Sequence, residues 1–251
     1  MLRLWKVLTL ALAIVALGVS TIFIASCGSN GTSYRAINAI ANYEYAQTGG
    51  FDFTMNGATV YTGVQFGNIN PPGNDAYAKI SSGSNVFDVY PHGEVQGNNG
   101  GTPVINSSLS FNGRTQYTVV LMGNNTTNDY VSQPFTDNNA VPSSGDFEFR
   151  VIHASNNMTS SVDVYIVGNP QMVTGPNPPP PNANVVYGQA SAYQSNPAGT
   201  WWLVITAHGG HVPIVNPTSY TPSALQIRTI VLVDGPGGFG VGTPLIFSDL
   251  N

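Results

Sequence analysis

Tyr34-Arg35-Ala36-Ile37-Asn38-Ala39 returns later in the chain as Phe149-Arg150-Val151-Ile152-His153-Ala154. Phe51-Asp52-Phe53-Thr54 returns as Val162-Asp163-Val164-Tyr165, with a turn glycine after each, Gly57 and Gly168. Val86-Phe87-Asp88-Val89-Tyr90, closing at His92-Gly93, has its counterpart in Trp202-Leu203-Val204-Ile205-Thr206, closing at His208-Gly209. Tyr117-Thr118-Val119-Val120-Leu121 matches Arg228-Thr229-Ile230-Val231-Leu232, and each copy ends on an aromatic and an acid, Phe135-Thr136-Asp137 and Phe247-Ser248-Asp249. Order and spacing agree across all these blocks, so the chain contains one unit twice.

The blocks are strands. They are short, rich in Val, Ile, Tyr, Phe and Thr, and bounded by Gly, Asn, Pro or Ser. Phe51, Phe53 and Met55 alternate with Asp52, Thr54 and Asn56, a period of two. The 28 glycines and 18 prolines argue for many turns. The expected fold is all-β: two tandem immunoglobulin-like β-sandwich domains after an N-terminal signal helix. The expected organisation is a signal peptide over 1–26, a lipidated tether over 27–33, sandwiches over 34–137 and 147–251, and a polar linker over 138–146.

The start of the chain reads as an address. Arg3 and Lys6 precede an uncharged apolar run to Ile24, followed by Ala25-Ser26-Cys27-Gly28. Small residues before the only cysteine resemble the lipobox of bacterial lipoproteins. That resemblance implies cleavage between Ser26 and Cys27 and acylation of Cys27, with the membrane as partner. Two or three acyl chains hold a protein firmly on a bilayer. A retained membrane-spanning helix is the other reading of the run. Gly28 after the cysteine, rather than Asp, implies the outer membrane in a double-membraned cell.

Only 8% of the residues are charged, and the formal charge is −5. Loss of Arg3 and Lys6 with the signal makes the exported chain still more acidic. Nucleic acid is therefore excluded as a partner.

Both copies, over Tyr34 to Asp249, resemble the family named domain of unknown function 4397, whose members open with a basic residue, alternating apolar residues, a His-Ala-Ser-Pro-Asp stretch and a Val-Asp-Val-Tyr strand, and the second copy matches it better. Asn156-Asn157 replaces Pro-Asp here, and the first copy has Asn38 in place of the histidine. The resemblance implies an exported β-sandwich protein and no particular activity.

Candidate sites follow from residue type. Arg35 with Asp52, and Arg150 with Asp163, are expected to pair within each copy as structural ion pairs. Trp201, Trp202 and Tyr193 are candidates for a stacking platform for sugar rings. His208 and His211 share a turn but lack the further ligands that zinc requires, so neither a metal nor any other cofactor is expected. His153 and Ser155 lie on one strand face without a nucleophile elbow and read as structural. Gly235-Pro236-Gly237-Gly238-Phe239-Gly240 matches a dinucleotide fingerprint, but Val241-Gly242-Thr243-Pro244 cannot open the helix that such a site needs, so it reads as a hairpin loop. Pro176–Pro181 reads as a stiff exposed loop. The function expected is a non-enzymatic binding or structural module of the cell envelope, meeting a polymer or a surface protein. A metal-assisted hydrolase and a carbohydrate-binding surface protein are the alternatives.

Overall fold

The computed structural model describes residues 31–41, 49–73, 76–94, 101–124, 129–158, 160–235 and 240–250. The N-terminal stretch expected to be a signal peptide, and Cys27, lie outside them. Residues 31–251 form one compact unit.

That unit contains two sandwiches. In the first, an inner sheet holds β1 (Ser33–Asn38), β4 (Ile69–Asn70), β5 (Ala78–Lys79), β8 (Gln116–Asn124) and β9 (Asp129–Thr136). Its outer sheet runs in the order β3 (Ala58–Val64), β2 (Phe51–Met55), β6 (Gly83–Pro91), β7 (Ile105–Phe111). In the second, the inner sheet is ordered β13 (Gln194–Pro197), β10 (Asp146–His153), β16 (Ile227–Leu232), β17 (Leu245–Leu250). The outer sheet is β12 (Ala183–Val185), β11 (Val162–Val167), β14 (Trp201–Ala207), β15 (Thr218–Tyr220). A single turn of helix, α1 (Gln171–Thr174), lies between β11 and β12. β1 runs parallel to β8, and β10 parallel to β16, in matching register. All other pairings are antiparallel.

The two inner sheets pack face to face. Tyr34 and Ala36 point into the first sandwich's core with Phe51, Phe53 and Phe87. The alternate residues of the same strand, Ile37 and then Ala39, join Val120, Met122, Ile152, Ala154, Val231 and Val233 in a separate apolar layer between the sandwiches. Phe149 and Val151 face the second core with Val164 and Ile205. Every residue of β1 is therefore buried. Strands covered on both faces read as continuous apolar runs rather than alternating ones; Val119–Met122 and Ile230–Val233 are such runs.

The sandwiches also point the same way. β1 and β8 begin together at Ser33 and Gln116, where the described chain enters. At that same end Arg35 of β1 reaches Ser248 and Asp249 near the end of β17, whose Leu250 pairs with Ile227 at the start of β16. At the far end, a Cβ on Gly67 would lie 3.6 Å from Leu245 Cδ2, across the two sandwiches. The turns at His92 and His208 close strands that end at this far end, opposite the starts of β2 and β11.

One cooperative unit is the expected behaviour. Among the described residues both tryptophans, Trp201 and Trp202, belong to the second sandwich. Their fluorescence therefore reports that half alone, while far-ultraviolet circular dichroism reports both. Urea transitions from the two signals should coincide. Two separated midpoints would mean that the sandwiches unfold independently.

Candidate functional site

Arg35 and Arg150 face the layer between the inner sheets, and each reaches the opposite sandwich. Arg35 pairs with Asp249, and its Nη1 donates to the Ser248 carbonyl at 2.6 Å. Arg150 pairs with Asp137, and its Nη1 donates to the Thr136 carbonyl at 2.8 Å. Each guanidinium also donates from Nε to a threonine of its own sandwich, Thr118 or Thr229, both at 2.9 Å. Those threonines donate in turn to Asp137 (2.8 Å) and Asp249 (2.6 Å). Tyr77 and Tyr193 donate to the same two carboxylates at 2.7 Å and 3.0 Å. Each arginine lies over its own sandwich's tyrosine ring, 5.1 Å from the centroid. The result is a doubled, crossed clamp with almost no solvent exposure.

Burial opposes the charge on both arginines. For Arg35, attraction to Asp249 and Asp137 outweighs that cost and raises its pKa. Arg150 shifts the same way, with Asp137 as its main charge partner. A buried pair is tolerated when further hydrogen bonds satisfy its remaining groups. The expected pairing of each arginine with Asp52 or Asp163 is therefore corrected. Those aspartates lie on β2 and β11, in the outer sheets, and the arginines point away from them.

Asp52 and Asp163 hold the turns at the far end. Asp52 accepts from His92 Nδ1 (2.7 Å), Gly93 N–H (2.9 Å) and Gly63 N–H (2.8 Å). Asp163 accepts from His208 Nδ1 (3.0 Å), Gly209 N–H (2.8 Å) and the Asn184 amide (2.8 Å). Burial alone would raise both carboxyls; these donors hold them below the usual carboxylate range. Gly49 (φ 100°) lies against the His92 ring, where a Cβ would approach Cδ2 to 2.8 Å. These are Asp–His turn braces. His208 is committed to one, and among the described residues no group of three or more His, Cys, Asp or Glu side chains could hold a metal.

His153 is buried at the end of β10. Its Nε2 donates to the Ser160 carbonyl at 3.2 Å, and the Tyr187 ring meets it edge-on. Ser155 donates instead to Asp234 at 2.6 Å, and the same carboxylate takes the Asn157 N–H at 2.9 Å. In the first copy Asn38 fills the histidine's place, donating to the Val64 carbonyl and accepting from the Ile40 N–H. Asp234 pairs with Val241, and Gly235 N–H donates to the Gly240 carbonyl at 3.0 Å, so the ends of the glycine-rich stretch close a hairpin.

The expected aromatic platform is also corrected. Trp201 packs toward the second core and donates from Nε1 to the Pro197 carbonyl at 2.9 Å. Trp202 takes the opposite face, in a small cluster with Tyr165, Val167, Val204 and Val173 of α1. Tyr193 belongs to the clamp. A strand's alternation separates the tryptophans, and Arg150 engages the tyrosine, so the three rings share no surface. Among the described residues, a groove of about 510 Å³ lies at the far end of the second sandwich, lined by Pro213–Pro217, Val241 and Thr243. It has no charged lining residue.

Asp137, Asp249, Thr118, Thr229, Tyr77, Tyr193 and Asp234 are the polar residues that organise the molecule. Their signal in the sequence is recurrence: a threonine and a closing acid stand at equivalent places in both copies.

Two outcomes are expected. Arg35→Met leaves Asp249 buried without its partner and should cost about 3–5 kcal/mol in urea unfolding, whereas Arg35→Met with Asp249→Leu should recover most of it. No recovery would show that the clamp's worth is not in the pair. For His153, burial outweighs the favourable carbonyl contacts and lowers its pKa from 6.5. The unfolded state then binds the proton more readily, so stability is full above about pH 6.5 and falls as pH drops through that value, by up to about 1.4 kcal/mol per pH unit. His153→Asn, which copies Asn38, should remove that part of the slope between pH 7.5 and 5. An identical slope in the variant would assign the dependence elsewhere.

A search of curated proteins gives no match. Among solved structures, a "putative cell adhesion protein" from Bacteroides uniformis aligns over 88% of this chain and 100% of its own, at 9% identity and a TM-score of 0.22. That likeness is too slight to inform fold or role. A family model matches residues 35–165, from the first clamp arginine on β1 through Arg150 to Tyr165 on β11. The match covers more than half of the sequence, and the chain belongs to the family described as Domain of unknown function (DUF4397).

Proposed function

We propose that this chain is an exported lipoprotein, anchored through Cys27, whose paired sandwiches form a non-enzymatic binding module of the cell envelope. The observation that carries the reading is the shared polarity of the two sandwiches. The described chain enters beside Ser33, while the turns at His92 and His208 and the hairpin at Asp234–Val241 lie at the opposite end. An N-terminal anchor would turn that opposite end outward, as one composite surface built by both copies. Loops on a rigid β scaffold are the usual place for recognition.

The side chains with catalytic potential support the binding reading. Asp52 and Asp163 brace turns, Ser155 is held by Asp234, and Arg35 and Arg150 clamp the halves. Each has a structural task. The sparsely charged surface, with no Lys or Arg at its far end among the described residues, suits a neutral polymer or a protein partner of the envelope.

Metabolic labelling with a radioactive fatty acid should mark the wild-type protein and leave Cys27→Ala unmarked. The acylated protein should then retain an envelope glycan or protein in a binding screen, and replacing 208–213 and 92–94 with Gly-Ser segments should abolish retention. An unlabelled wild type removes the anchor. Steady hydrolytic turnover, or stoichiometric zinc in the purified protein, would replace the binding reading with the hydrolase.

A further inference from the structure

Beyond residue 27 the chain carries five basic residues: Arg35, Lys79, Arg114, Arg150 and Arg228. Two of them are consumed in the buried clamp. The other three all lie at the end where the chain enters. Lys79 is exposed and sits opposite Ser33 in the β5–β1 pair. Arg114 is exposed in the turn before β8, whose neighbour Thr115 accepts the Ser33 N–H at 3.1 Å. Thr32 is held between them, accepting the Ile80 N–H at 3.0 Å and donating from Oγ1 to the Asn112 carbonyl at 3.0 Å. Lys79 and Arg114 thus flank the emerging chain. Arg228, half-buried at the start of β16, donates to Ser248. Asp146 and Glu148, on β10, are the half-buried acids of the same end. Exposed Val141, at 65%, and Leu225, at 38%, add apolar surface there.

The far end has the opposite character. Asp52, Glu94, Asp129, Asp163 and Asp234 lie there, and no Lys or Arg does among the described residues. The chain is net acidic, but among the described residues its basic side chains are gathered at one end.

We propose that the end carrying Lys79 and Arg114 is a membrane-facing surface that rests on anionic lipid headgroups and holds the module upright. The proposal rests on the anchoring reading above. The length of chain outside the described residues is what commits it to a bilayer. Four residues lie between Cys27 and Thr32, so the two Cα atoms, five steps of ~3.5 Å apart, are separated by at most ~17 Å. Screening at physiological salt has a length of about 8 Å. An acylated Cys27 therefore keeps both cations within about two screening lengths of the lipid surface. The acids of the far end stand a strand length further out, about 30 Å for the nine residues of β6. An inverted or tilted body would bring those acids toward the anionic surface and carry the cations away. Attraction at one end and repulsion at the other select the same orientation.

The test uses the full-length protein, exported and purified from membranes, with its mass recording the acyl chains. Fluorophores are placed by Ser223→Cys at the near end or Val212→Cys at the far end. Energy transfer to a headgroup acceptor is read on vesicles of phosphatidylglycerol with phosphatidylcholine. The Ser223 label should transfer strongly and the Val212 label weakly. Lys79→Gln with Arg114→Gln should reduce the upright preference by about twenty-five-fold, the product of about fivefold for each cation near an anionic surface. Pure phosphatidylcholine, or 0.5 M salt with the unchanged protein, should reproduce the loss without any substitution in the charged end. Acylated protein whose transfer ignores lipid charge, salt and both substitutions overturns the orientation and leaves the anchor standing. A mass without acyl chains overturns both.

Discussion

Two arginines buried between two sheets set the terms for everything else in this molecule. A guanidinium removed from water needs a counter-charge and an acceptor for each of its donors. Neither sandwich supplies the full set for its own arginine. Arg35 finds its threonine at home and its carboxylate across the interface, and Arg150 does the same in reverse. The carboxylates in turn are held by threonine and tyrosine from their own side. Separating the sandwiches would strand two cations and two anions at once. The linker between β9 and β10 therefore joins parts of one body, and the apolar layer above the clamp has a permanent partner.

Much of this architecture was legible in the sequence. Period-two alternation at Phe51–Asn56 identifies strands, and the repeated blocks show that the same sandwich occurs twice. The cross-pairing was not legible, and the reason is the repeat itself. When both copies carry the same arginine, threonine and acid, an own-copy bond and a cross-copy bond have identical sequence signatures. Only the direction in which β1 turns Arg35 and β10 turns Arg150 decides between them. A second signal was present but ambiguous. Val119–Met122 and Ile230–Val233 are apolar without a break, as strands covered on both faces are, yet short apolar runs have several explanations.

The site residues show the same division. Alternation alone places Trp201 and Trp202 on opposite faces. That α1 covers one of them depends on a four-residue helix with no periodicity to read. Asp52 and Asp163 recur as acids on apolar strands, but their partners are glycine N–H groups and a histidine closing a different strand. Backbone donors have no residue type, so a pairing sought among charged side chains goes to the wrong one. In a chain with so few charges, the polar groups buried by the fold are mostly committed to geometry.

The common direction of the two sandwiches has a consequence for how such a molecule can change. The arriving chain, the crossover from β9 to β10 and the last strand's end are gathered on one side, next to the clamp. On the opposite side, the returns at His92 and His208 are each braced by an aspartate, and the one at Asp234–Val241 by its own hairpin pairing. Sequence drift in those returns leaves the ionic lock untouched. One durable frame could thus carry many different faces, and transplanted loops could be borne there without redesign of the joint beneath them.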